Sequence, residues 1–167
     1  FVANGPYQAH FRNIVEQHGF HDRVAVCDFN EHLEHLSYGA SDFILMPSLF
    51  EPCGLPQMIA PIYGSLPVAH DTGGIHDTIA HLNVETGTGN GFLFNVYDAG
   101  GLLWAIRQAM GFYRLPDDVK RPQIRRIMRE SLERFNYTVT ASEYIALYEK
   151  MLQRPLVRRT ILGEEKG

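Results

Sequence analysis

The chain has 167 residues, of which 45% are hydrophobic and 20% are charged. This length and composition fit one globular domain with a sizeable core and argue against a disordered segment. Lys and Arg total 15 and Asp and Glu total 19, which gives a net charge of -4. Because this balance does not attract phosphate polymers or anionic membranes, we expect neither nucleic acid nor a membrane as a partner.

The two cysteines, Cys27 and Cys53, form neither a disulfide framework nor a metal-ligand spacing, which indicates a reducing compartment. No apolar run approaches the length of a membrane span, and the N-terminus lacks the pattern of a signal peptide. We therefore expect a cytoplasmic location, or a plastid in a plant. Phe1-Val-Ala begins like the middle of a strand, without methionine, so we also expect a fragment.

Helical and strand patterns alternate over the first 95 residues, and the rest of the chain has helical periodicity. The patterns predict a strand end at 1–3 and strands at 23–27, 43–46, 66–70 and 91–94. Helices are predicted between them over 7–18, from the cap Asn30 to about residue 39, over 55–63 and over 75–80, and a further helix runs from the cap Asp98 to about residue 113. Residues 83–91 are predicted to form a surface loop. Thr140-Ala-Ser-Glu143 predicts a capping box for the last helix.

This alternation predicts an α/β fold, a three-layer Rossmann-like parallel sheet with right-handed crossovers and extra C-terminal helices. We expect one domain over residues 1–153, truncated at its N-terminal side, and a flexible tail over 154–167.

Glu51 is the first candidate for chemistry, because it follows a buried strand at the carboxyl edge of the sheet, where such sheets bind ligands. A carboxylate there is well placed to accept hydrogen bonds from sugar hydroxyls. Taken alone, Glu51 is better explained as a carboxylate that favours the start of a helix.

The residues after Glu51 strengthen the site hypothesis. Cys53, Gly54 and Leu55 present consecutive backbone N–H groups before a helix that has Pro56 at its first position. Thr72-Gly73-Gly74 follows another strand, and glycines there let a ligand approach the backbone. An ordinary capped helix and a plain tight turn are the alternatives.

Other patterns are weaker. Gly87-Thr-Gly-Asn-Gly91 lacks the Lys-Ser/Thr of a phosphate loop and predicts a turn. His32 and His35 are three apart on a helix, but no further ligands complete a shell, so we predict no metal and no cofactor. Cys53 has no fixed histidine partner nearby in the sequence, so a packing or backbone role is favoured over a reactive thiol. Ser48 lacks the G-x-S-x-G frame of a nucleophile elbow, so we predict no catalytic serine there.

Three segments together resemble the C-terminal domain of bacterial glycogen synthases and plant starch synthases, which are glycosyltransferase family 5-like enzymes. They are Asp42-Phe-Ile-Leu-Met-Pro-Ser-Leu-Phe-Glu-Pro-Cys-Gly-Leu, Tyr63-Gly-Ser-Leu-Pro and Thr72-Gly-Gly-Ile-His-Asp-Thr. The resemblance extends over nearly the whole chain. It implies the C-terminal half of a GT-B fold and a retaining hexosyltransferase that moves glucose from ADP-glucose or UDP-glucose to the non-reducing end of an α-1,4-glucan.

The resemblance also implies roles for individual residues. Glu51, the one residue given a catalytic role, would bind the donor glucose, and the amides around Cys53, Gly54 and Leu55 would hold its hydroxyls. The helix that follows would point its N-terminus at the diphosphate. Phe29 would lie against the adenine, and Thr72, Gly73 and Gly74 would line the cleft near the leaving group.

At three points the sequence departs from the family's pattern, which limits the residue roles that the resemblance implies. Ile59 stands where many related transferases have a ribose-binding glutamate, although the glycogen synthase branch tolerates that loss. Pro56 replaces a residue that is often threonine. The Arg and Lys that neutralise the diphosphate belong to a segment before Phe1, and the acceptor-side residues belong to a separate N-terminal domain.

The isolated chain is therefore expected to be inactive, because stabilising the charge on the leaving group is central to catalysis. A non-catalytic glucan- or nucleotide-binding module is one alternative. Another is a different sugar-nucleotide transferase of the same fold, of the sucrose or trehalose synthase type.

Overall fold

A computed structural model describes residues 4–156, in which seven α-helices and three β-strands are formed. The elements are α1 (Gln8–His18), α2 (Glu31–Ala40), β1 (Phe43–Met46), α3 (Pro56–Ile59), β2 (Leu66–His70), α4 (Gly73–Thr78), β3 (Phe92–Phe94), α5 (Ala99–Tyr113), α6 (Asp117–Arg134) and α7 (Tyr137–Leu152). The strand end predicted at 1–3 and most of the predicted tail, 157–167, lie outside the described residues.

The three strands form a parallel sheet in the order β1-β2-β3, with Phe43 opposite Leu66 and Val68 opposite Phe92. Since side chains alternate along a strand, the two faces carry different residues. One face packs on α5 and α6 through a cluster that includes Leu66, Val68, Phe92, Phe94, Ala105, Ala109, Phe112 and Ile127. The other packs on α4 through Met46, Ala69, Ile75 and Ile79. The predicted three-layer parallel α/β fold is confirmed.

Two predicted helix starts are confirmed by their caps. The Asn30 side chain accepts a hydrogen bond from the Leu33 N–H at 3.0 Å, and the Asp98 side chain accepts one from Gly101 at 2.7 Å. Each satisfies a backbone donor that lacks a partner in the first helical turn, a contribution of about 1 kcal/mol.

The helix predicted over 55–63 is formed in two parts. After the single α-helical turn of α3, a 3₁₀ helix covers Ala60–Tyr63. Pro61 has no N–H to continue the α-helical ladder, which accounts for the tighter second part. Pro56 occupies the start of α3, as predicted.

Two local predictions are wrong. The last helix is capped by Asn136, whose side chain accepts from the Val139 N–H at 3.0 Å, so the predicted capping box at 140–143 lies inside α7. There the Thr140 hydroxyl donates to the Asn136 carbonyl instead. Of the strand predicted at 23–27, only Cys27 is in a bridge position within the described part of the chain.

Helix α7 has no buried residue in the structure. Its large apolar side chains Tyr144, Leu147, Tyr148 and Met151 are 49% to 70% exposed. Beyond it, Leu156 N–H donates to the Glu149 carboxylate at 2.8 Å. None of the helices between residues 4 and 156 has the length and apolarity that crossing a membrane requires.

Candidate functional site

The carboxyl ends of β1, β2 and β3 lie at one edge of the sheet, where Met46, His70 and Phe94 are the last strand residues. The segments that continue from them are 47–55, 71–72 and 95–98. Ligands of open parallel sheets bind outside this edge, so the structure brings the predicted Glu51 and Thr72 segments to the expected place.

The backbone of the segment that carries Glu51 is held at three points. Gly74 N–H donates to the Glu51 carbonyl at 2.8 Å, and His70 Nδ1 donates to the Ser48 carbonyl at 2.9 Å. The Tyr97 hydroxyl donates more weakly to the Pro47 carbonyl at 3.4 Å. Groups from β2, α4 and the loop after β3 thereby fix the segment on which the Glu51 side chain stands.

The Glu51 carboxylate itself is partly buried, and its one hydrogen bond among the described residues is a long one of 3.5 Å from the Ser48 hydroxyl. No ion pair in the described part of the chain involves Glu51. The sequence has no Lys or Arg between residues 24 and 106. A positioned carboxylate without a cationic partner is suited to accept hydrogen bonds from neutral hydroxyl groups.

Gly73 and Gly74 have a reason within the protein for being glycine. A Cβ on Gly74 would overlap the Cys53 carbonyl oxygen and lie 2.7 Å from Cys53 Cα, and a Cβ on Gly73 would overlap the Glu51 carbonyl oxygen. Gly73 also has a positive φ of 48°. The sequence pattern predicts that these glycines let a ligand approach the backbone. In the structure they let two backbone segments pack against each other, and their role toward a ligand stays a prediction.

The amides of Cys53, Gly54 and Leu55 donate to no acceptor within residues 4–156. Gly54 adopts the left-handed conformation at φ 73°, and Leu55 is the N-cap of α3. Cys53 is exposed and free. Because α3 has only one α-helical turn, its dipole adds little to these amides.

Gln57 was missed by the sequence argument, although it is the one polar residue in the apolar run 55–62. It is fully buried, and its Nε2 donates to the Cys53 carbonyl at 2.7 Å and to Thr78 Oγ1 at 3.4 Å. Thr78 Oγ1 in turn donates to the Gly74 carbonyl at 2.6 Å. Gln57 therefore links the Cys53 backbone to α4 on the buried side of the contact between these two segments. Its Oε1 has no hydrogen-bond partner within the described residues.

His70 was missed as well, and the available signal was a polar residue at the end of an apolar strand. Its ring is buried between Phe94 and Tyr97, with ring centroids 5.4 Å and 4.9 Å away. Since the Ser48 carbonyl only accepts, Nδ1 must carry the proton. His70 thus acts as a brace for the Glu51 segment.

The remaining predicted site residues are accessible. Phe29 precedes α2, is 52% exposed and is held through its N–H, which donates to Asn4 Oδ1 at 3.0 Å. Thr72 is the N-cap of α4, but its side chain makes no capping hydrogen bond. Their contacts with a ligand stay predictions. No group of three or more His, Cys, Asp and Glu residues in the region 4–156 is arranged to hold a metal ion.

Asp71 and His76 form an ion pair beside this edge. His76 Nδ1 lies 2.7 Å from Asp71 Oδ1, and the Asp71 side chain is 20% exposed while that of His76 is 70% exposed. The hydrogen bond and the charge of Asp71 raise the pKa of His76 above its ordinary value.

This pair predicts a pH dependence of stability. A raised pKa in the folded state means that the pair stabilises fully below the ordinary histidine value of about 6.5 and loses its contribution as pH rises through the raised pKa. The difference in urea unfolding free energy between the unchanged chain and His76→Gln should therefore be largest in mild acid and shrink above neutrality. His32→Gln, at an exposed site on α2, is the control; a difference independent of pH would contradict the pairing.

Comparisons with known proteins identify the family. The family model for glycosyl transferases group 1 matches residues 1–121. Glycogen synthase from Geobacillus thermodenitrificans (strain NG80-2) is 42% identical over 126 residues, which are 75% of this chain and 25% of that protein. Glycogen synthase from Bacillus licheniformis is 37% identical over 156 residues, 91% of this chain and 31% of that protein. The chain thus spans between a quarter and a third of these curated relatives.

Two solved structures are similar. The catalytic domain of starch synthase IV from Arabidopsis thaliana, bound to ADP and acarbose, aligns with a TM-score of 0.76 at 32% identity over 92% of this chain and 31% of that one. Sucrose-phosphate synthase from Thermosynechococcus elongatus aligns at 0.65 with 23% identity, over 89% and 35%, which supports the fold alone. With its parallel sheet, its Glu51 segment and these relatives, the chain belongs to the glycosyl transferases group 1 family and has the fold of the C-terminal half of a GT-B glycosyltransferase.

Proposed function

We propose that this chain is the donor-binding domain of a retaining hexosyltransferase that transfers glucose from ADP-glucose or UDP-glucose to the non-reducing end of an α-1,4-glucan. The observation that carries the proposal is the Glu51 carboxylate, which is partly buried, has no cationic partner and stands on a braced segment at the ligand-binding edge. The starch synthase IV structure supports the substrate class, since it is described as bound to ADP and acarbose.

In this proposal Glu51 accepts hydrogen bonds from the donor glucose, and the amides of Cys53, Gly54 and Leu55 donate to its hydroxyls or to the phosphate. Their lack of protein partners within the described residues supports this assignment. The exposed ring of Phe29 stacks on the base, and Thr72 to Gly74 line the cleft near the leaving group.

We further propose that residues 1–167 bind the donor without transferring glucose. The leaving diphosphate gains negative charge, and removing a single preorganised donor for such charge lowers a rate by about 10² to 10³. The segments at the sheet edge contain no Lys or Arg, because none occurs between residues 24 and 106. In this proposal the cations that neutralise the diphosphate come from a segment of the same protein before Phe1, and the acceptor site comes from its separate N-terminal domain.

Titration of the isotope-labelled chain with ADP, ADP-glucose and UDP-glucose, followed by amide NMR, tests the proposal. We expect saturable shifts around Phe29 and residues 51–55 at millimolar or weaker affinity, and no glucose transfer to maltoheptaose. Shifts confined to other surfaces would contradict the donor site, and transfer by the chain alone would contradict its inactivity. In the complete gene product, product analysis with glucan and with small acceptors separates a glucan synthase from a sucrose-type synthase.

A further inference from the structure

A second concave surface lies at the outer edge of β3. Its lining takes Asp71 and Asn95 from the carboxyl edge of the sheet but no residue of the Glu51 segment, 47–55. It is a pocket of about 430 Å³, within the range of small-molecule sites. Its lining includes Trp104, His81, Leu93, Val96, Asp71 and Asn95. Trp104 projects from α5 with 48% of its surface exposed. A half-exposed indole in a concave surface leaves a large apolar face for a ligand.

The aromatic wall of this pocket is held in place by the fold. His81 Nδ1 accepts the Leu93 N–H of β3 at 3.1 Å, so the ring proton must be on Nε2. The His81 ring lies against the Trp104 indole with centroids 5.5 Å apart and an angle of 32°, and meets Phe92 edge-on at 6.0 Å. A Cβ on Gly89 would overlap the His81 carbonyl oxygen, so the loop after His81 packs tightly behind it. The indole therefore has a preorganised support.

We propose that this pocket is a second carbohydrate-binding site, which takes glucose units of an α-glucan chain. The apolar face of a pyranose ring fits the exposed indole, and Asp71 and Asn95 supply hydrogen-bonding groups for its hydroxyls. His76 contacts one oxygen of Asp71, and the other oxygen has no hydrogen-bond partner within the described residues. Choosing an α-glucan over other sugars rests on the proposed function.

The charge of the pocket favours a neutral ligand. No Lys or Arg is among its lining residues, and Asp71 is its one carboxylate. A nucleotide or a sugar phosphate would therefore meet no compensating cation other than a histidine, whereas a polyhydroxylated ring needs none.

The chain contains a single tryptophan beside eight tyrosines, so fluorescence excited selectively at tryptophan reports on Trp104. Titrating the 167-residue chain with maltoheptaose should change the emission saturably. Glu51→Gln should leave that response unchanged, because Glu51 does not line this pocket. Absence of a saturable change at millimolar maltoheptaose, or its loss in Glu51→Gln, would overturn the proposal.

Substitution of Trp104 gives the second measurement. Retardation of the chain in glycogen-containing gels should weaken about tenfold in Trp104→Ala and persist in Trp104→Tyr, which retains an aromatic face. Equal unfolding midpoints in urea show that both variants fold. Unchanged retardation in folded Trp104→Ala would overturn the proposal. An emission change that depends on protein concentration in the absence of sugar would also overturn it, because a second chain would then occupy the pocket. Nucleotide shifts around residues 51–55 without a glucan response would reject this site and leave the donor site standing.

Discussion

Glu51→Ala in the complete gene product that contains residues 1–167 should lower kcat/KM for the sugar nucleotide by about a hundredfold. The carboxylate stands on a segment held by His70 and Gly74, and it forms no ion pair within residues 4–156. Hydrogen bonds to a charged group contribute about 1.5–3 kcal/mol each, and about 2.7 kcal/mol corresponds to a hundredfold in rate.

The measurement is glucose transfer to glycogen at varied donor concentration. Glu51→Gln keeps the shape and one acceptor oxygen, so its loss should be smaller, about tenfold. Glu85→Gln, at an exposed position in the 83–91 loop, is the matched control and should retain full activity. If Glu51→Ala turned over like the unchanged enzyme, the proposed role of this carboxylate in binding the donor glucose would be wrong.

Gly74→Ala should destabilise the domain by about 3 kcal/mol, at the upper end of the range for overpacking. The added methyl group would overlap the carbonyl oxygen of Cys53, which is backbone and has no alternative rotamer. For a domain of this size the loss corresponds to a decrease in Tm of about 6–12 °C. Since Gly74 N–H also holds the Glu51 carbonyl, donor binding should weaken with it.

Gly111→Ala is the control for that change. Gly111 lies inside α5, it is exposed, and a Cβ there would meet no atom within 4 Å. The same substitution should leave stability unchanged or raise it by up to about 1 kcal/mol, because alanine favours a helix. The measurement is thermal unfolding of the two variants. Equal midpoints would mean that Gly74 is loosely packed against the backbone of Cys53.

Elements whose signals are local were predictable from the chain. Each strand of the sheet was found from a short apolar run, and Asn30 and Asp98 were found because a cap bonds to a backbone group three residues away. The start of α7 was misplaced because Asn136 and Thr140 both have the side chain of an N-cap, and neighbouring sequence does not rank them. The preceding helix α6 ends at Arg134, and this places the start of α7 after Asn136.

The sequence by itself determined where the three strands lie and that Glu51 and Thr72 follow two of them, since each signal depends on residues close together in the chain. The parallel sheet followed from the alternation of strands and helices, because a helix between two strands makes the crossover that parallel pairing needs. Only the tertiary structure decided what holds Glu51 in place. The Gly74–Glu51 and His70–Ser48 hydrogen bonds and the buried Gln57–Thr78 contact join residues 21 to 23 positions apart, and such pairings form only when strands and loops pack. The same holds for the Trp104 pocket, in which His81 and Leu93 meet across the edge of β3.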